Sequence, residues 1–520
     1  MKNFQLSFVT NKSTARWFQI LNAFEKSEIC SASSLAEVTE STTRTIGKDI
    51  GGINEYFAGL LQISSTNQGY LFELNNYPSY EKKKASLLAN EPLFLMLENI
   101  FMGELKSIDE WTDCLFLSKS TLSKYLRRIH QQLTHFDLTL TLDPVNIVGE
   151  EADIRNFFCT FFYETDITPH TVFPSVAVQQ AVTEISGMFE PNSYHTASFS
   201  QYSYLLHISI ERFLQGQRIQ VKEELYHALR HSIQLMHFQR INEVIDKYFE
   251  FQFPHDELVF LFVSIITKRK LQNVIVEQKF CLSYNHWPKI RELTNSFYQL
   301  LNVTSPNPKN DLILIESFFT TAKLRECLST SANRNIWDVN TFIRKTFPKE
   351  FAFYQRFLEN NPFYQELYSP QYLPDFCANL VIYIESVRER YWFPRKNIAF
   401  IFEGNHHIVQ YIEGWSNRYF SCSHRVFYPD SGEVTPHYLK QNQIDLIVTN
   451  YAEHASAFRD TIECIVFKTI PSSSDWNRLL ERINPDVTRQ FALKDLFEFL
   501  FICNYEESLE KVYSNSIRIA

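Results

Sequence analysis

Glycine is scarce in this chain, with only 12 among 520 residues, which argues against a linker-rich or low-complexity protein. The nine cysteines are scattered and odd in number, and no two of them have C-x-x-C spacing. This pattern argues against a disulfide framework or a zinc knuckle and is typical of a reducing cytoplasm. G-x-S-x-G, P-loop and G-x-G-x-x-G motifs are also absent, so the sequence predicts neither an enzyme nor a bound cofactor.

Long apolar runs are missing as well. None approaches the roughly 18–20 residues that a membrane span requires. The first ten residues, with one lysine and no sustained apolar core, do not resemble a signal peptide. We therefore expect a soluble, cytoplasmic protein with no membrane partner. The formal net charge of −9 argues against a surface that coats polyanions throughout, so a nucleic-acid site would have to be a local basic patch.

Hydrophobic residues are abundant, at 45%, and 15% of the chain is aromatic. Long stretches of Leu, Ile, Phe and Tyr at three- and four-residue spacing favour helices over a large sheet. Only the last part of the chain alternates short β-branched or aromatic strands with helices, which predicts a small parallel sheet. The predicted fold is mainly α with a C-terminal α/β domain. Its five predicted blocks are residues 10–75, 85–165, 170–280, 281–392 and 395–505.

The first block has the pattern of three helices followed by a hairpin. Residues 13–27 predict the first helix, and residues 34–37, SLAE, have the pattern of a capping box that opens the second. Ser41 or Thr42 caps a third helix with one apolar stripe. The residues of that stripe are Ile46, Ile50, Ile53 and Phe57. Residues 60–74, with TNQG between alternating residues, predict the hairpin.

The second block repeats this order. Residues 93–102 predict a helix, residues 107–110, SIDE, predict a capping box, and Ser118 caps a third helix. The apolar stripe of this third helix consists of Leu122, Tyr125 or Leu126, Ile129 and Leu133. Between positions 119 and 133 there are four Lys and Arg residues and no acid, a local reversal of the chain's net charge. Residues 136–148 predict a second hairpin.

The third helix of each block opposes its apolar stripe with a small, polar and cationic face. Such a face suits the major groove of duplex DNA, because small residues permit a close backbone approach and Lys and Arg reach bases or phosphates. The candidate DNA-binding residues are Thr43, Arg44, Lys48, Ser120, Thr121, Lys124, Arg127 and Arg128. The alternative is an amphipathic helix with a solvated basic face, which the tandem repetition disfavours. Glu55 makes the first of the two helices the weaker candidate.

The two units resemble the tandem N-terminal units of the Mga-type virulence and carbon-metabolism regulators of Gram-positive bacteria. Residues 145–158, VNIVGEEADIRNFF, resemble the segment that closes that family's second helix-turn-helix, and residues 398–404 and 444–451 resemble its C-terminal part. The resemblance implies two winged helix-turn-helix units, two helical phosphotransferase-system regulation domains and a C-terminal domain similar to a IIB sugar-phosphotransferase component. It also implies a homodimeric, DNA-binding transcriptional regulator and favours an activator.

The resemblance further indicates a site of regulatory phosphorylation. Residues 205–212, LLHISIER, followed by Gly216, match the first histidine motif of such a regulation domain. His207 is therefore the residue that a phosphocarrier protein of the phosphotransferase system would modify. The alternative is a partly buried helical histidine with a structural hydrogen bond. The later motif positions, near 256–269 and 312–325, contain no histidine, so control is reduced to His207 or lost.

Two other functions are alternatives to a DNA-binding regulator. A IIB-type phosphocarrier needs a cysteine nucleophile after the first strand of its domain, but residues 402–407 read FEGNHH and Cys422 follows the next helix. His406 is interpreted as a surface loop histidine. An RNA-binding antiterminator with the same regulation domains begins with a small β-rich domain, unlike this helical N-terminus. His227 and His231 have a helical i, i+4 spacing compatible with a metal, but lack the H-E-x-x-H pattern, and no metal site is predicted.

Overall fold

The computed structural model describes residues 4–89, 91–163, 172–188, 198–269, 271, 273–302, 307–335, 337–392, 395–421, 424–458 and 461–483. Within these residues helices dominate, and the strands form three small sheets. The chain divides into two compact units between Glu389 and Arg390. The predicted fold class, mainly α with a C-terminal α/β domain, is confirmed. Cys422, Cys503 and residues 484–505 of the last predicted block lie outside the described residues.

The first block contains three helices and a three-stranded antiparallel sheet. Its elements are α1 (Lys12–Phe24), β1 (Ile29–Cys30), α2 (Ala32–Val38), α3 (Thr43–Tyr56), β2 (Leu61–Thr66) and β3 (Gly69–Leu74). Strand β3 lies between β1 and β2 and pairs with both. The predicted stripe of α3 is buried, with no member more than 5% exposed. The predicted order of helices and hairpin is therefore confirmed, and we call the hairpin β2–β3 the first wing.

The predicted capping box at residues 34–37 is wrong. Helix α2 begins almost one turn earlier, because Ser31 is its N-cap and the Ser31 side chain accepts a hydrogen bond from the Ser34 amide at 3.0 Å. Serine is a favoured N-cap at either position. The pairing of β1 with β3 decides between them, since it holds the chain extended up to Cys30 and the helix starts directly afterwards.

The second block repeats the plan with a two-stranded hairpin. Its elements are α4 (Tyr77–Ser86), α5 (Pro92–Phe101), α6 (Ile108–Leu115), α7 (Lys119–Leu133), β4 (Thr139–Leu142), β5 (Val145–Val148) and α8 (Glu151–Phe162). Strands β4 and β5 are antiparallel and form the second wing. Leu122, Leu126, Ile129 and Leu133 of α7 are buried, so the predicted stripe and hairpin are confirmed.

The core of the second block extends beyond the block itself. Phe4 and Phe8, from the start of the described chain, belong to the same cluster of buried side chains. The rings of Phe8 and Phe161 lie 5.1 Å apart, edge to face, a favourable aromatic arrangement. The cluster also contains Ile208, from a later helix. The second block is therefore packed between the N-terminal segment and the helices that follow it.

The middle of the chain is entirely helical among the described residues. Its α-helices are α9 (Val176–Gly187), α10 (Phe199–Leu214), α11 (Glu223–Leu229), α12 (Ile233–Phe238), α13 (Ile241–Phe249), α14 (His255–Ile266), α15 (Val274–Tyr284), α16 (Pro288–Leu301), α17 (Pro308–Leu328), α18 (Trp337–Thr346), α19 (Pro348–Asn360), α20 (Pro362–Leu367) and α21 (Leu373–Val387). The near-continuous burial of α14 agrees with its lack of polar periodicity, because a helix that is apolar all round must be covered all round.

The C-terminal unit is a parallel four-stranded sheet with helices. Its elements are β6 (Asn397–Ile401), α22 (His406–Phe420), β7 (Arg425–Phe427), α23 (Pro436–Gln441), β8 (Leu446–Thr449), α24 (Ala452–Phe458), β9 (Glu463–Val466) and α25 (Ser473–Ile483). The strand order is β7-β6-β8-β9, with every pairing parallel. The small parallel sheet predicted for the last part of the chain is therefore confirmed. In the described part of the chain, no helix has the length and apolar character needed to cross a bilayer.

Candidate nucleic-acid interface

The outer face of α3 carries the first group of candidate residues. Thr42 is the N-cap of this helix, and its hydroxyl accepts a hydrogen bond from the Thr45 amide at 3.2 Å. Thr43, Arg44 and Lys48 are exposed. The buried stripe and the candidate residues therefore lie on different sides of α3, as the helical periodicity predicts.

A partly buried ion pair fixes the orientation of α3 against α1. Asp49, on the inner side of α3, is 5% exposed. Its carboxylate accepts hydrogen bonds from Arg16 Nε at 2.6 Å and from Trp17 Nε1 at 3.2 Å. A Cβ atom at Gly52 would lie 2.6 Å from the Trp17 ring. The two helices can therefore approach this closely only because residue 52 has no side chain.

The first wing is attached to α3 by a side-chain amide. Asn54 Nδ2 donates to the Ile63 carbonyl at 2.8 Å, and the Ile63 amide donates to Asn54 Oδ1 at 2.7 Å. This pair of hydrogen bonds reproduces the contacts of a neighbouring strand. The wing therefore holds a fixed position relative to the exposed face of α3.

Two caps and a sharp turn position α7. The capping box at the start of α6 is confirmed, since the Ser107 amide donates to Glu110 Oε2 at 2.7 Å and the Glu110 amide donates to Ser107 Oγ at 3.3 Å. These hydrogen bonds lower the pKa of Glu110. Ser118 caps α7 by accepting from the Thr121 amide at 3.2 Å.

Between α6 and α7, Phe116 has a φ of 52° and is 94% exposed. Sequence reasoning missed Phe116, because nothing local distinguishes an exposed from a buried phenylalanine.

The outer face of α7 is cationic. Ser120, Lys124 and Arg127 are exposed and Thr121 is half-buried. Lys124 and Arg127 form no ion pair within the described residues, and α7 itself contains no acid. At its first turn, Lys119 Nζ lies 2.5 Å from Asp109 Oδ1, and both side chains are largely exposed. We call Ser120, Lys124 and Arg127 the cationic face of α7.

Arg128 differs from the other candidates on α7. Its side chain is half-buried, and Nη2 donates to the Ser7 carbonyl at 2.8 Å. The guanidinium therefore holds the N-terminal segment against α7. This contact spans 121 positions of the chain, and helical periodicity alone does not indicate it.

His207 lies on α10 between two cores. Its side chain is buried, and its ring centroid lies 5.9 Å from that of Phe101 on α5. The neighbouring Leu206 belongs to the core of the helical region, and Ile208 belongs to the core of the second block. Neither ring nitrogen has a hydrogen-bond partner among the described residues, and the nearest acid is Glu211, 3.8 Å from Nδ1. His207 is thus buried but lacks the structural hydrogen bond that the alternative interpretation of this residue requires.

The burial of His207 makes stability depend on pH. Burial lowers the pKa of His207 to about 4, from an ordinary value of about 6.5. The unfolded chain therefore binds a proton that the folded chain excludes, so this contribution to stability is present above about pH 6.5 and lost as the pH falls toward 4. We expect His207→Leu to flatten the decline in the free energy of unfolding over this window, measured by urea denaturation. The exposed His237 of α12 provides the control: an unchanged decline in His207→Leu, or an equal flattening in His237→Leu, contradicts the assignment.

The remaining candidate residues do not form a site. His406 is the first residue of α22, capped by Asn405, and not a loop residue as predicted. Helix α11 ends at Leu229, so His231 is not on the helix that carries His227 and the predicted i, i+4 pair does not exist. No group of three or more His, Cys, Asp or Glu side chains in the described residues could hold a metal ion.

Comparison with known proteins bears on the second block. Residues 80–162 match the model of the Mga helix-turn-helix domain. The chain is 22% identical over 318 residues to the capsule synthesis positive regulator AcpB of Bacillus anthracis. The aligned region covers 59% of this chain and 64% of the relative. The chain is 22% identical over 231 residues to the capsule synthesis positive regulator AcpA of the same organism, covering 44% and 45%.

A protein of Streptococcus pneumoniae serotype 4, described as a trans-acting regulator, is 28% identical over 156 residues, covering 30% of this chain and 31% of the relative. The matches thus span from about a third to just under two thirds of the curated relatives. The matched domain begins within α4 and ends with α8, so it contains the whole of α7 and the second wing. This chain therefore carries an Mga helix-turn-helix domain, and its resemblance to the Mga-type regulators is confirmed.

Proposed function

We propose that this protein is a transcriptional regulator that binds duplex DNA through α7 and, less strongly, through α3. One observation carries the proposal: the region that matches the Mga helix-turn-helix domain contains the acid-free helix α7, whose Lys124 and Arg127 are exposed. A positive face in a chain of net charge −9 offers a local site for phosphates and base edges. The second wing lies next in the chain and can contact the adjacent backbone.

Binding of the full-length chain to duplex DNA over a range of salt concentrations tests this function. We expect the logarithm of the association constant to fall linearly with the logarithm of salt concentration, by about 0.9 per phosphate contact. Single-stranded RNA in the same titration tests the antiterminator alternative, which predicts a preference for RNA. Light scattering of the complex counts the chains per duplex, for which we expect two. Failure to bind any duplex at low salt would refute the proposal.

The named relatives favour activation of transcription over repression. AcpA and AcpB are named as positive regulators, and we propose that this chain likewise activates transcription. We also propose a homodimer, which the resemblance to the Mga-type regulators implies and which would bring two copies of α7 to one duplex. In such an arrangement the spacing of the two helices sets the spacing of the half-sites.

We also propose that the phosphotransferase system regulates this protein through His207. The support is its position, because α10 joins the core of the second block to that of the helical region. A dianionic phosphate does not fit a site that is 5% exposed, so the modification requires α10 and Phe101 to separate. Incubation with phosphoenolpyruvate and the general phosphocarriers is expected to label the native chain and not His207→Ala. Equal labelling of both would place the phosphate elsewhere.

A further inference from the structure

A cavity of about 570 Å³ lies between the second block and the helices that follow it. Asn156 of α8 lines one side, and Arg325 of α17 and residues that follow α14 and α17 line the others. This volume is within the range of small-molecule sites, roughly 300–1,000 Å³, and too small for a nucleic-acid duplex. Neither the helix-turn-helix match nor the histidine motif accounts for it.

The lining of this cavity is cationic. Lys268, Arg269, Arg325 and Arg334 all contribute to it, and no Asp or Glu is found among the described residues that line it. Neutral hydrogen-bonding groups are present too, on Asn156, Gln201 and Thr267. A lining of this composition complements an anion that also carries hydroxyl groups.

Two of the arginines are held rigidly. Arg269 Nη2 lies 2.7 Å from Glu277 Oε2, and Arg334 Nη2 lies 2.7 Å from Asp137 Oδ1. Both arginine side chains are 7% exposed, and the two carboxylates are not among the residues that line the cavity. The Nε–H group of each arginine has no acceptor among the described residues. These two Nε atoms are themselves buried, so the arginines contribute fixed positive charge to the lining, and fixed groups reduce the entropy cost of binding a ligand.

We propose that this cavity binds a small organic phosphate of the sugar-phosphate class. Guanidinium and ammonium groups bind phosphate oxygens by charge-assisted hydrogen bonds, and the amide and hydroxyl groups match the hydroxyls of a sugar. The volume exceeds the space that a lone inorganic ion occupies. A phosphate ester therefore uses both the charge and the neutral part of the lining.

The cavity also adjoins the end of the proposed DNA-reading helix. His135 and Phe136, which line it, follow α7 after one residue. His135 Nε2 lies 2.5 Å from the carbonyl of Asn335, which follows α17 and also lines the cavity. A ligand would thus contact both sides of the junction and bias the position of α7. This regulatory consequence rests on the proposed function, whereas the binding site itself does not.

Calorimetric titration of the full-length chain without DNA tests the site. We expect saturable binding of glucose 6-phosphate at millimolar or lower concentration, weaker binding of inorganic phosphate and no binding of glucose. Lys268→Gln removes one cation of the lining and is expected to weaken binding about tenfold, the effect of one charge-assisted hydrogen bond. Lys279→Gln, on the exposed side of α15, makes the same charge change outside the cavity and is expected to have no effect.

A second variant tests the cavity independently of charge. Gln201→Trp places a large side chain in the lining and is expected to abolish binding, with thermal unfolding of each variant as the check on folding. Absence of glucose 6-phosphate binding, tighter binding of citrate than of the phosphate ester, or unchanged binding in a folded Gln201→Trp variant overturns the proposal. If the ligand binds but the chain does not bind duplex DNA, the site stands and the proposed function fails.

Discussion

Replacing Lys124 and Arg127 together with alanine is expected to lower the affinity for duplex DNA by roughly 100-fold or more. Each of the two side chains can make a charge-assisted hydrogen bond to a phosphate or base, worth about 1.5–3 kcal/mol, and about 1.4 kcal/mol corresponds to a factor of ten. The slope of the salt dependence should fall by about 1.8 if both contact phosphates. Fluorescence anisotropy with a labelled duplex at several salt concentrations measures both quantities.

The fold of this double variant is expected to be unchanged. Lys124 and Arg127 are exposed, and among the described residues neither makes a contact with the core like that of Arg128 with the Ser7 carbonyl. Arg128 is therefore left out of the variant, because its removal would combine a loss of DNA contact with a loss of packing. Lys279→Ala with Arg356→Ala makes an equal charge change on exposed positions of α15 and α19. Similar losses of affinity in the two double variants would mean that net charge, and not the cationic face of α7, governs binding.

Glu257→Gln is expected to lower the free energy of unfolding by about 3–5 kcal/mol. Both Glu257 and Arg155 have fully buried side chains, and their two hydrogen bonds, at 2.5 and 3.0 Å, form a bidentate pair. Glu257 also accepts from the Ile219 amide at 3.1 Å. Neutralising the carboxylate removes the bidentate counter-charge of a fully buried guanidinium, which then keeps only its contact with Glu151, and this loss is far costlier than that of an exposed ion pair. Chemical denaturation measures the difference.

An exposed ion pair in the same part of the chain provides the control. Lys247 Nζ lies 2.7 Å from Glu184 Oε2, with side chains 57% and 39% exposed. Glu184→Gln is expected to cost far less than Glu257→Gln, because water compensates exposed charges. Replacing Arg155 and Glu257 together with methionine should recover part of the loss, since no charge is then buried alone. A cost for Glu257→Gln as small as that for Glu184→Gln would contradict the burial argument.

The Arg155–Glu257 ion pair also joins the second block to the helices that follow it. Arg155 Nε donates to Glu151 Oε1 at 2.9 Å, and Arg212 of α10 donates to the same carboxylate. Glu257 lies on α14. A continuous set of charged contacts therefore connects α8 with α10 and α14. Movement of the second block relative to these helices has to break or rearrange this set, which limits how far a signal can displace α7.

Local features of the interface followed from local sequence. The caps at Ser107 and Ser118, the buried stripes of α3 and α7 and both wings were predicted, because each depends on side chains within about one to four residues of one another. The capping box of α2 was misplaced, since Ser31 and Ser34 are equally good caps and the pairing of a distant strand selects the first. The pairing of His227 with His231 failed because α11 ends between them.

The sequence by itself determined which helices exist, which face of each is apolar, and that α7 carries positive charge without acid. Only the tertiary structure decided which partner covers each face. It assigned Arg128 to the Ser7 carbonyl, buried His207 against Phe101 and joined Arg155 to Glu257 across 102 positions of the chain. The physical reason is that periodicity specifies a side chain's direction from its own helix axis, whereas its environment depends on how distant segments pack. The same limit applies to the cationic cavity, whose lining residues come together only when α8 packs against the helices that follow it.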